Sequence, residues 1–230
     1  MCFSATASFG ASALLGGVGA KALKEANTPG EKLFAMTPVL FAAQQLVEGF
    51  LWVTLSNNPG ANAQALGQVL TLMFLFFAWV IWPTFIPLFN YLLEKRKTQK
   101  RILLGMVIWG IIISIFLFYT LYSVPILSEI RAHHIFYGRV VPFPNSWILG
   151  TLYFIPIVSP FFISSTPKMW YLGMVNVLAF VLSMTIFKSY LISVWCFFGA
   201  VASVFVLVVL LELRNQKQVQ NALNYTHESQ

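Results

Sequence analysis

Residues 102–124 have the sequence ILLGMVIWGIIISIFLFYTLYSV, a stretch without a charged side chain. A transmembrane helix needs about 20 mainly apolar residues, and this stretch meets that length. The whole chain is similar, since 58% of its 230 residues are hydrophobic, 9% are charged and its mean hydropathy is +0.77. Soluble domains carry about 25% charged residues. The composition therefore predicts a membrane protein whose main partner is the lipid bilayer.

Six further stretches also provide about 20 mainly apolar residues, and the first of them is the weakest: residues 3–20, 33–55, 64–92, 146–165, 169–187 and 190–211. We therefore predict an all-α, polytopic membrane bundle of about seven transmembrane helices. Residues 1–213 form its single transmembrane domain, and residues 214–230 form a polar cytosolic tail. The first stretch is rich in Ser, Ala and Gly, and only Lys188 and its neighbours separate the last two. Six and eight helices therefore stay open as alternatives.

The positions of Lys and Arg predict the orientation, because short cytosolic loops carry the excess of these residues. With the amino terminus outside, eleven basic residues fall in cytosolic segments and three in outer segments. The eleven are Lys21, Lys24, Lys32, Lys95, Arg96, Lys97, Lys100, Arg101, Lys168, Arg214 and Lys217, and the three are Arg131, Arg139 and Lys188. This distribution predicts a cytosolic carboxyl terminus.

The second stretch contains a polar group of side chains. Gln44, Glu48 and Trp52 follow each other at steps of four and share one helix face, with Gln45 beside them. An ionisable side chain inside the bilayer costs about 2.5 kcal/mol or more unless it is paired, hydrated or protonated, and it usually faces a cavity or the bundle interior. We predict a ligand-binding site here; the alternative is a neutral Glu48 that donates a structural hydrogen bond.

The first stretch places small residues at steps of four: Ser4, Ser8, Ser12, Gly16 and Ala20. Such a strip lets a second helix approach closely, which favours a packing role. In the alternative interpretation, Ser4 and Ser8 line a polar cavity that opens to the outside, and Ser4 joins the predicted ligand site.

Cys2 lies at the predicted outer face. If Met1 is removed, Cys2 offers a thiol and an amine, which serve as a nucleophile or as metal ligands. It is thus the candidate catalytic residue. An ordinary small apolar role and a disulfide with Cys196 are the alternatives.

The longest predicted outer loop, residues 125–145, contains Glu129, His133 and His134. If its first part is helical, Glu129 and His133 share a face. Imidazoles bind metals, so His133 and His134 join Cys2 and Glu48 as candidate ligands of a metal ion, the only cofactor the sequence suggests. Adjacent histidines point in different directions, however, and a solvated loop is the alternative.

Several classes of function are disfavoured. All seven acidic residues are Glu, so an aspartic-protease dyad, an EF-hand loop and an Asp-containing triad lack essential residues. The net charge of +7 is spread between hydrophobic segments, so we expect no nucleic-acid partner. The last stretch has no Lys for a retinal pigment between Tyr190 and Glu212.

The opening Met1-Cys2-Phe3-Ser4-Ala5-Thr6-Ala7-Ser8-Phe9, together with Gln44-Gln45-Leu46-Val47-Glu48-Gly49 and Trp52, resembles a family of uncharacterised bacterial multi-pass membrane proteins. The resemblance is specific in these two blocks. It implies a bacterial inner-membrane location and a shared helical architecture, and it carries no activity.

Three hypotheses of function follow. In the first, an outward-facing cavity lined by Ser4, Gln44, Gln45, Glu48 and Trp52 binds a small ligand or ion in a sensing or binding role. In the second, the chain is an enzyme that uses Cys2, or a metal held by Cys2, Glu48 and the loop histidines. In the third, Glu48 is the coupling site of a proton-coupled transporter of small solutes.

Overall fold

The computed structural model describes residues 4–56, 60–139 and 146–228, most of which are helical. The helices are α1 (Ala5–Glu25), α2 (Pro29–Ser56), α3 (Ala61–Phe76), α4 (Trp82–Leu93), α5 (Lys97–Ser123), α6 (Ser146–Ile163), α7 (Met169–Ile186), α8 (Leu191–Ala202) and α9 (Phe205–Glu228). A π-helical turn, Phe77–Ile81, joins α3 to α4, and a 3-10 turn, Lys188–Tyr190, leads into α8. Two short strands, β1 (Ile126–Arg131) and β2 (His134–Arg139), lie between α5 and α6. Because the π turn joins α3 to α4 and only Ser203 and Val204 interrupt the run from α8 to α9, the described residues form seven helical rods.

These rods coincide with the seven stretches predicted from the sequence. Five helical segments are long and apolar enough to cross a membrane: Pro29–Ser56, Ala63–Leu93, Lys97–Ser123, Met169–Ile186 and Lys188–Gln216. The apolar part of α6, Trp147–Ile163, is shorter. The polar tail continues α9 as helix through Glu228. The prediction of a helical membrane protein is confirmed at this level.

The start of α2 is fixed by a capping box. The Thr28 hydroxyl accepts a 3.2 Å hydrogen bond from the Glu31 N–H, and the Glu31 carboxylate accepts the N–H groups of Asn27 at 2.9 Å and Thr28 at 3.4 Å. A Thr followed three residues later by Glu satisfies free N–H groups at a helix start, and Pro29 suits the first helical position. The helix therefore begins four residues before the predicted residue 33.

The packing of α1 on α2 uses only part of the predicted strip of small residues. Ser8 is buried, and the Ser12 hydroxyl donates a 2.8 Å hydrogen bond to Ala42 O on α2. Further along, Gly19 replaces Gly16 in the contact, since a Cβ on Gly19 would lie 2.5 Å from Val39 Cγ2. Steps of four exceed the 3.6 residues of a helical turn, so the strip rotates away from α2 by about 40° per step.

The segment predicted as a loop, residues 125–145, contains an antiparallel hairpin. Strands β1 and β2 pair from Ile126 with Arg139 to Arg131 with His134. The suggestion that Glu129 and His133 share a helix face is therefore wrong, because Glu129 lies within β1 and His133 lies in the turn. Glu129 forms an exposed ion pair with Arg131 on the same strand.

The hairpin turn consists of Ala132 and His133, with φ values of 45° and 62°. A two-residue hairpin turn with both φ angles positive matches the right-handed twist of its strands, and it usually contains Asn-Gly. Residues other than Gly, Asn and Asp are strained in this conformation. The unusual Ala-His pair explains why the sequence did not indicate a hairpin.

Apolar contacts hold the hairpin against the ends of α2, α3 and α8. Ile126 and Ile135 are buried, and the Tyr137 ring stacks on Phe74 of α3 at 4.8 Å between centroids. We call this the hairpin end of the bundle. The other end contains the loop between α4 and α5.

At the opposite end, Glu94 joins two loops. Its carboxylate accepts the N–H groups of Lys95 at 2.9 Å and Arg96 at 2.8 Å, and both the N–H and the hydroxyl of Ser165 at 2.6 Å. Although burial opposes ionisation, the hydrogen bonds to Ser165, Arg96 and Lys95 lower the pKa of Glu94 below its ordinary value. Glu94 therefore ties the start of α5 to the loop between α6 and α7.

Candidate functional site

Glu48 lies fully buried on α2. Its Oε1 accepts a 2.6 Å hydrogen bond from the Ser193 hydroxyl on α8, and its Oε2 accepts a 3.1 Å bond from Gln45 Nε2, one turn earlier on α2. Ser193 and Gln45 are also fully buried. The structure thus joins two residues predicted from the sequence, Gln45 and Glu48, and adds a serine 145 residues away in the chain.

Gln44 contacts a different helix. Its Oε1 accepts a 3.0 Å hydrogen bond from Trp82 Nε1, at the start of α4. The Trp82 ring stacks on Phe41, one turn from Gln44, with 4.0 Å between ring centroids. The amide and carboxyl groups of α2 therefore connect α2 to α4 on one side and to α8 on the other.

The π-helical turn before α4 determines where Trp82 lies. The Trp82 N–H bonds to Phe77 O, five residues back, instead of four. Pro83 has no N–H to donate to Ala78 O, and the Tyr153 hydroxyl of α6 donates to that oxygen. Such π turns are frequent at functional sites, and here the turn directs Trp82 toward Gln44.

Four buried polar atoms near Glu48 have no hydrogen-bond partner within residues 4–56, 60–139 and 146–228: Ser8 Oγ, Gln44 Nε2, Gln45 Oε1 and Trp52 Nε1. Gln44, Gln45 and Trp52 share the α2 face of Glu48, within about 100° of arc. Most buried polar atoms in proteins are hydrogen-bonded, and an unsatisfied one costs about 1–3 kcal/mol. These atoms are therefore the candidate contacts of water or of a small polar ligand.

Ser8, and not Ser4, reaches this level of α2. The neighbour of Ser8, Phe9, packs directly on Gly49, where a Cβ would lie 2.6 Å from the Phe9 ring. Ser4 is exposed at the start of α1, where its hydroxyl accepts a 3.2 Å bond from the Ala7 N–H. The predicted site residue Ser4 thus serves as a helix cap.

The two cysteines differ in what the structure describes. Cys196, on α8, is a free thiol beside the side chain of Gln44. Cys2, the candidate nucleophile and metal ligand, lies outside the described residues, as does any disulfide it forms.

The two histidines of the hairpin have separate environments. His133 is exposed in the turn, whereas His134 is 6% exposed and stacks on Tyr190 at 4.5 Å, with the Phe187 ring at 5.2 Å. Burial lowers the pKa of His134, and the charge that neighbouring His133 can carry lowers it further. Among the described residues, no group of three or more His, Cys, Asp and Glu side chains is positioned to hold a metal ion.

A small cavity of about 50 Å³ lies next to the site, toward the opposite end. It is lined mainly by apolar side chains of α2, α4, α6 and α7 and by the region where α8 meets α9: Phe34, Thr37, Phe41, Trp82, Ile86, Phe89, Phe161, Leu172, Asn176, Gly199, Ala202, Ser203 and Val206. The stacked rings of Phe41 and Trp82 therefore stand between Gln44 and this cavity.

Three residues of the site were not predicted from the sequence. Ser193 is one serine in an apolar helix, and no periodic pattern indicates its partner. Trp82 carries a weak signal, because Pro83 next to it indicates an irregular helix. Tyr153 has no signal, since its acceptor exists only because of the π turn.

The fold is that of a helical membrane protein with a cluster of buried polar side chains between its helices. The chain belongs to the family described as "Family of unknown function (DUF6629)", which matches residues 1–222. No curated protein and no solved structure matches the chain significantly.

Proposed function

We propose that the chain crosses a bacterial inner membrane seven times, with its amino terminus and the hairpin end outside. Seven helical rods and the eleven-to-three distribution of basic residues support this topology. The short α6 and the more polar α1 become spans because they pack within the bundle, where α1 lies against α2.

Single cysteines at the two ends test the orientation. In a variant with Cys2→Ser and Cys196→Ser, Ser189→Cys lies at the hairpin end and Lys97→Cys at the opposite end. A membrane-impermeant maleimide added to intact spheroplasts should label the first and not the second. The reverse result would invert the topology.

We further propose that the cluster around Glu48 binds a small polar ligand or ion, in a sensing or binding role. The observation that carries this proposal is the set of four unpartnered polar atoms, Ser8 Oγ, Gln44 Nε2, Gln45 Oε1 and Trp52 Nε1. They include donors and acceptors, and three of them lie on the α2 face that carries the Glu48 carboxyl group, whose oxygens Ser193 and Gln45 hold in place. A bound solute that both accepts and donates hydrogen bonds would satisfy them.

The aromatic stack beyond the cluster favours binding over transport. Phe41 is 8% exposed and Trp82 4% exposed, and their contact separates the polar atoms from the small cavity. A solute bound at Glu48 therefore meets a closed wall on the side away from the hairpin.

Thermal unfolding in lipid nanodiscs tests the binding proposal. The probes are sodium, potassium, ammonium, acetate and glycerol, each titrated separately. A ligand at 100 times its Kd stabilises a protein by about 2.7 kcal/mol. At least one probe should stabilise the native chain and not Glu48→Gln. Ser183→Ala, which changes a buried serine whose hydroxyl donates to Ala179 O within α7, is the matched control and should respond like the native chain.

If none of the five probes distinguishes Glu48→Gln from the native chain, binding of these ligand classes is contradicted.

One observation favours proton-coupled transport as a second candidate. The helix is broken between α8 and α9 at Ser203 and Val204, and Ser203 lines the small cavity. Broken helices beside a central site are typical of secondary transporters. Proteoliposome uptake of acetate driven by a pH gradient should then be lost in Glu48→Gln, and uptake that persists would count against this candidate.

A further inference from the structure

A second cavity lies at the hairpin end, between β2 and the start of α8. Its volume is about 220 Å³, and its walls are Tyr137, Lys188, Ser189, Tyr190, Leu191 and Ile192. A water molecule occupies about 30 Å³ in the liquid, so the cavity accommodates several. Its walls combine hydroxyl-bearing residues with the apolar side chains of Leu191 and Ile192.

A polar strip on α8 leads from this cavity to the cluster. Ser193 and Cys196 are three residues apart and share one side of α8, and Ser189 lies four residues before Ser193, in the 3-10 turn that leads into the helix. Ser189 lines the cavity, Ser193 donates to Glu48, and Cys196 lies beside Gln44. The strip thus spans the distance between the cavity and the buried site.

The polar face of α2 lies opposite this strip. Trp52, Glu48 and Gln44 descend from the hairpin end at steps of four, and the hydrogen bond from Ser193 to Glu48 joins the two helices. The unpartnered Nε1 of Trp52 lies on the cavity side of Glu48. Polar side chains of α2 and α8 therefore face each other between the hairpin end and the stacked rings of Phe41 and Trp82.

The charge of the cavity wall is positive. Of the described side chains that line it, Lys188 carries the formal charge, and the nearby Arg131 is paired with Glu129. A cleft lined by one sign of charge concentrates solutes of the opposite sign.

We propose that this cavity is the entrance to the Glu48 cluster and that it admits small anionic solutes more readily than cationic ones. The inference rests on the proposed binding function, because it names the route and the charge class of the solutes that reach that same site. The hairpin forms one wall of the entrance through Tyr137.

Cys196 is a native reporter of access. In a Cys2→Ser background it is the only cysteine, and it lies at the end of the proposed route. The reagents are two methanethiosulfonates of similar size, one with a sulfonate and one with a trimethylammonium group. Nanodiscs leave both ends of the protein open, so the result does not depend on the orientation in a cell.

The sulfonate reagent should modify Cys196 at least about threefold faster than the cationic reagent, since Lys188 attracts anions. Lys188→Gln should bring the two rates close together. Ser189→Trp, which fills the cavity, should slow both reagents about tenfold or more. Ile186→Trp, at a position 66% exposed on α7, is the matched control and should leave both rates unchanged.

Equal slowing of both reagents by Ser189→Trp and Ile186→Trp would overturn the entrance. Ser189→Cys in a chain without Cys2 and Cys196 provides a second measurement that needs no bulky substitution. It should react rapidly with the sulfonate reagent, and an unreactive Ser189→Cys would contradict an open cavity. If only the entrance is wrong, a probe should still stabilise the native chain, and Glu48→Gln should still abolish that stabilisation. Failure of the entrance is therefore distinguishable from failure of the binding site.

Discussion

The Ser193 hydroxyl on α8 donates a 2.6 Å hydrogen bond to Glu48 Oε1 on α2, and both residues are fully buried. This contact links the second and the last helical rods at the level of the unpartnered amide and indole groups. It fixes the carboxyl group while Gln45 holds its other oxygen. The site therefore depends on a pair of residues that are remote in the chain.

Ser193→Ala should destabilise the protein by about 1–3 kcal/mol, because it removes a donor from a buried carboxyl group. Thermal unfolding in nanodiscs measures the change. Ser183→Ala is the control, since the Ser183 hydroxyl bonds to Ala179 O in its own helix, and its loss should be smaller. Equal losses of stability in Ser193→Ala and Ser183→Ala would show that the hydrogen bond between α2 and α8 contributes little to the stability of the protein.

Glu94 should make stability fall at acidic pH. The pKa of Glu94 is lowered in the folded protein. The contribution of the ionised carboxylate to the free energy of unfolding is therefore complete above the ordinary carboxyl pKa of about 4.3. It is lost as the pH falls through the lower pKa that Glu94 has in the folded protein. Unfolding measured from pH 7 to pH 3 should show this loss below about pH 4.3. The acid-dependent loss should be smaller in Ser165→Ala, which removes one of four hydrogen bonds, and smallest in Glu94→Gln. An unchanged acid profile in Glu94→Gln would refute this role.

His134 should make hairpin docking sensitive to mild acid. Its pKa is lowered by burial, so the unfolded chain, with a histidine pKa of about 6.5, binds the proton more readily. The stability that the neutral His134 ring contributes is complete above about pH 6.5. It is lost as the pH falls toward the lower pKa that His134 has in the folded protein. The melting temperature should therefore drop between pH 7.5 and pH 5.5.

In His134→Phe, which keeps the ring contact with Tyr190 and has no proton to gain, this drop should disappear. The exposed neighbour is the matched control, and His133→Gly should retain the drop. If the melting temperature of His134→Phe falls as much on acidification as that of the native chain, another titrating group is responsible.

The turn Ala132-His133 should tolerate replacement by Asn-Gly and gain stability. Both positions have positive φ, where an ordinary residue costs about 1–2 kcal/mol more than Gly. The double variant should melt at a higher temperature. Lower stability would contradict the described turn and would point to a role for the His133 side chain.

Much of the helical architecture was predictable because a bilayer permits few solutions. Helices satisfy every backbone group internally, so long apolar stretches such as residues 102–124 identify themselves. Glu48 was identifiable for a related reason, since a carboxyl group in such a stretch has few stable environments. The amide neighbours Gln44 and Gln45 followed from helical spacing alone.

The missed features depend on tertiary contacts or on rare local geometry. Ser193 gains its role from a partner 145 residues away, and hydropathy carries no information on such pairs. In the hairpin, Ile126 and Ile130 share one face of β1, but Ser128 between them interrupts the apolar alternation and the turn lacks the usual Asn-Gly. The start of α2 was predictable in principle, because Thr28 and Glu31 have the spacing of a capping box.

An experimental structure at a resolution that shows ordered water tests the central claim most directly. We expect non-protein density within hydrogen-bonding distance of at least two of the unpartnered atoms Gln44 Nε2, Gln45 Oε1 and Trp52 Nε1, and loss of that density in Glu48→Gln. A cluster in which the protein's own groups satisfy all of these atoms, with no density between them, would contradict a binding site at Glu48.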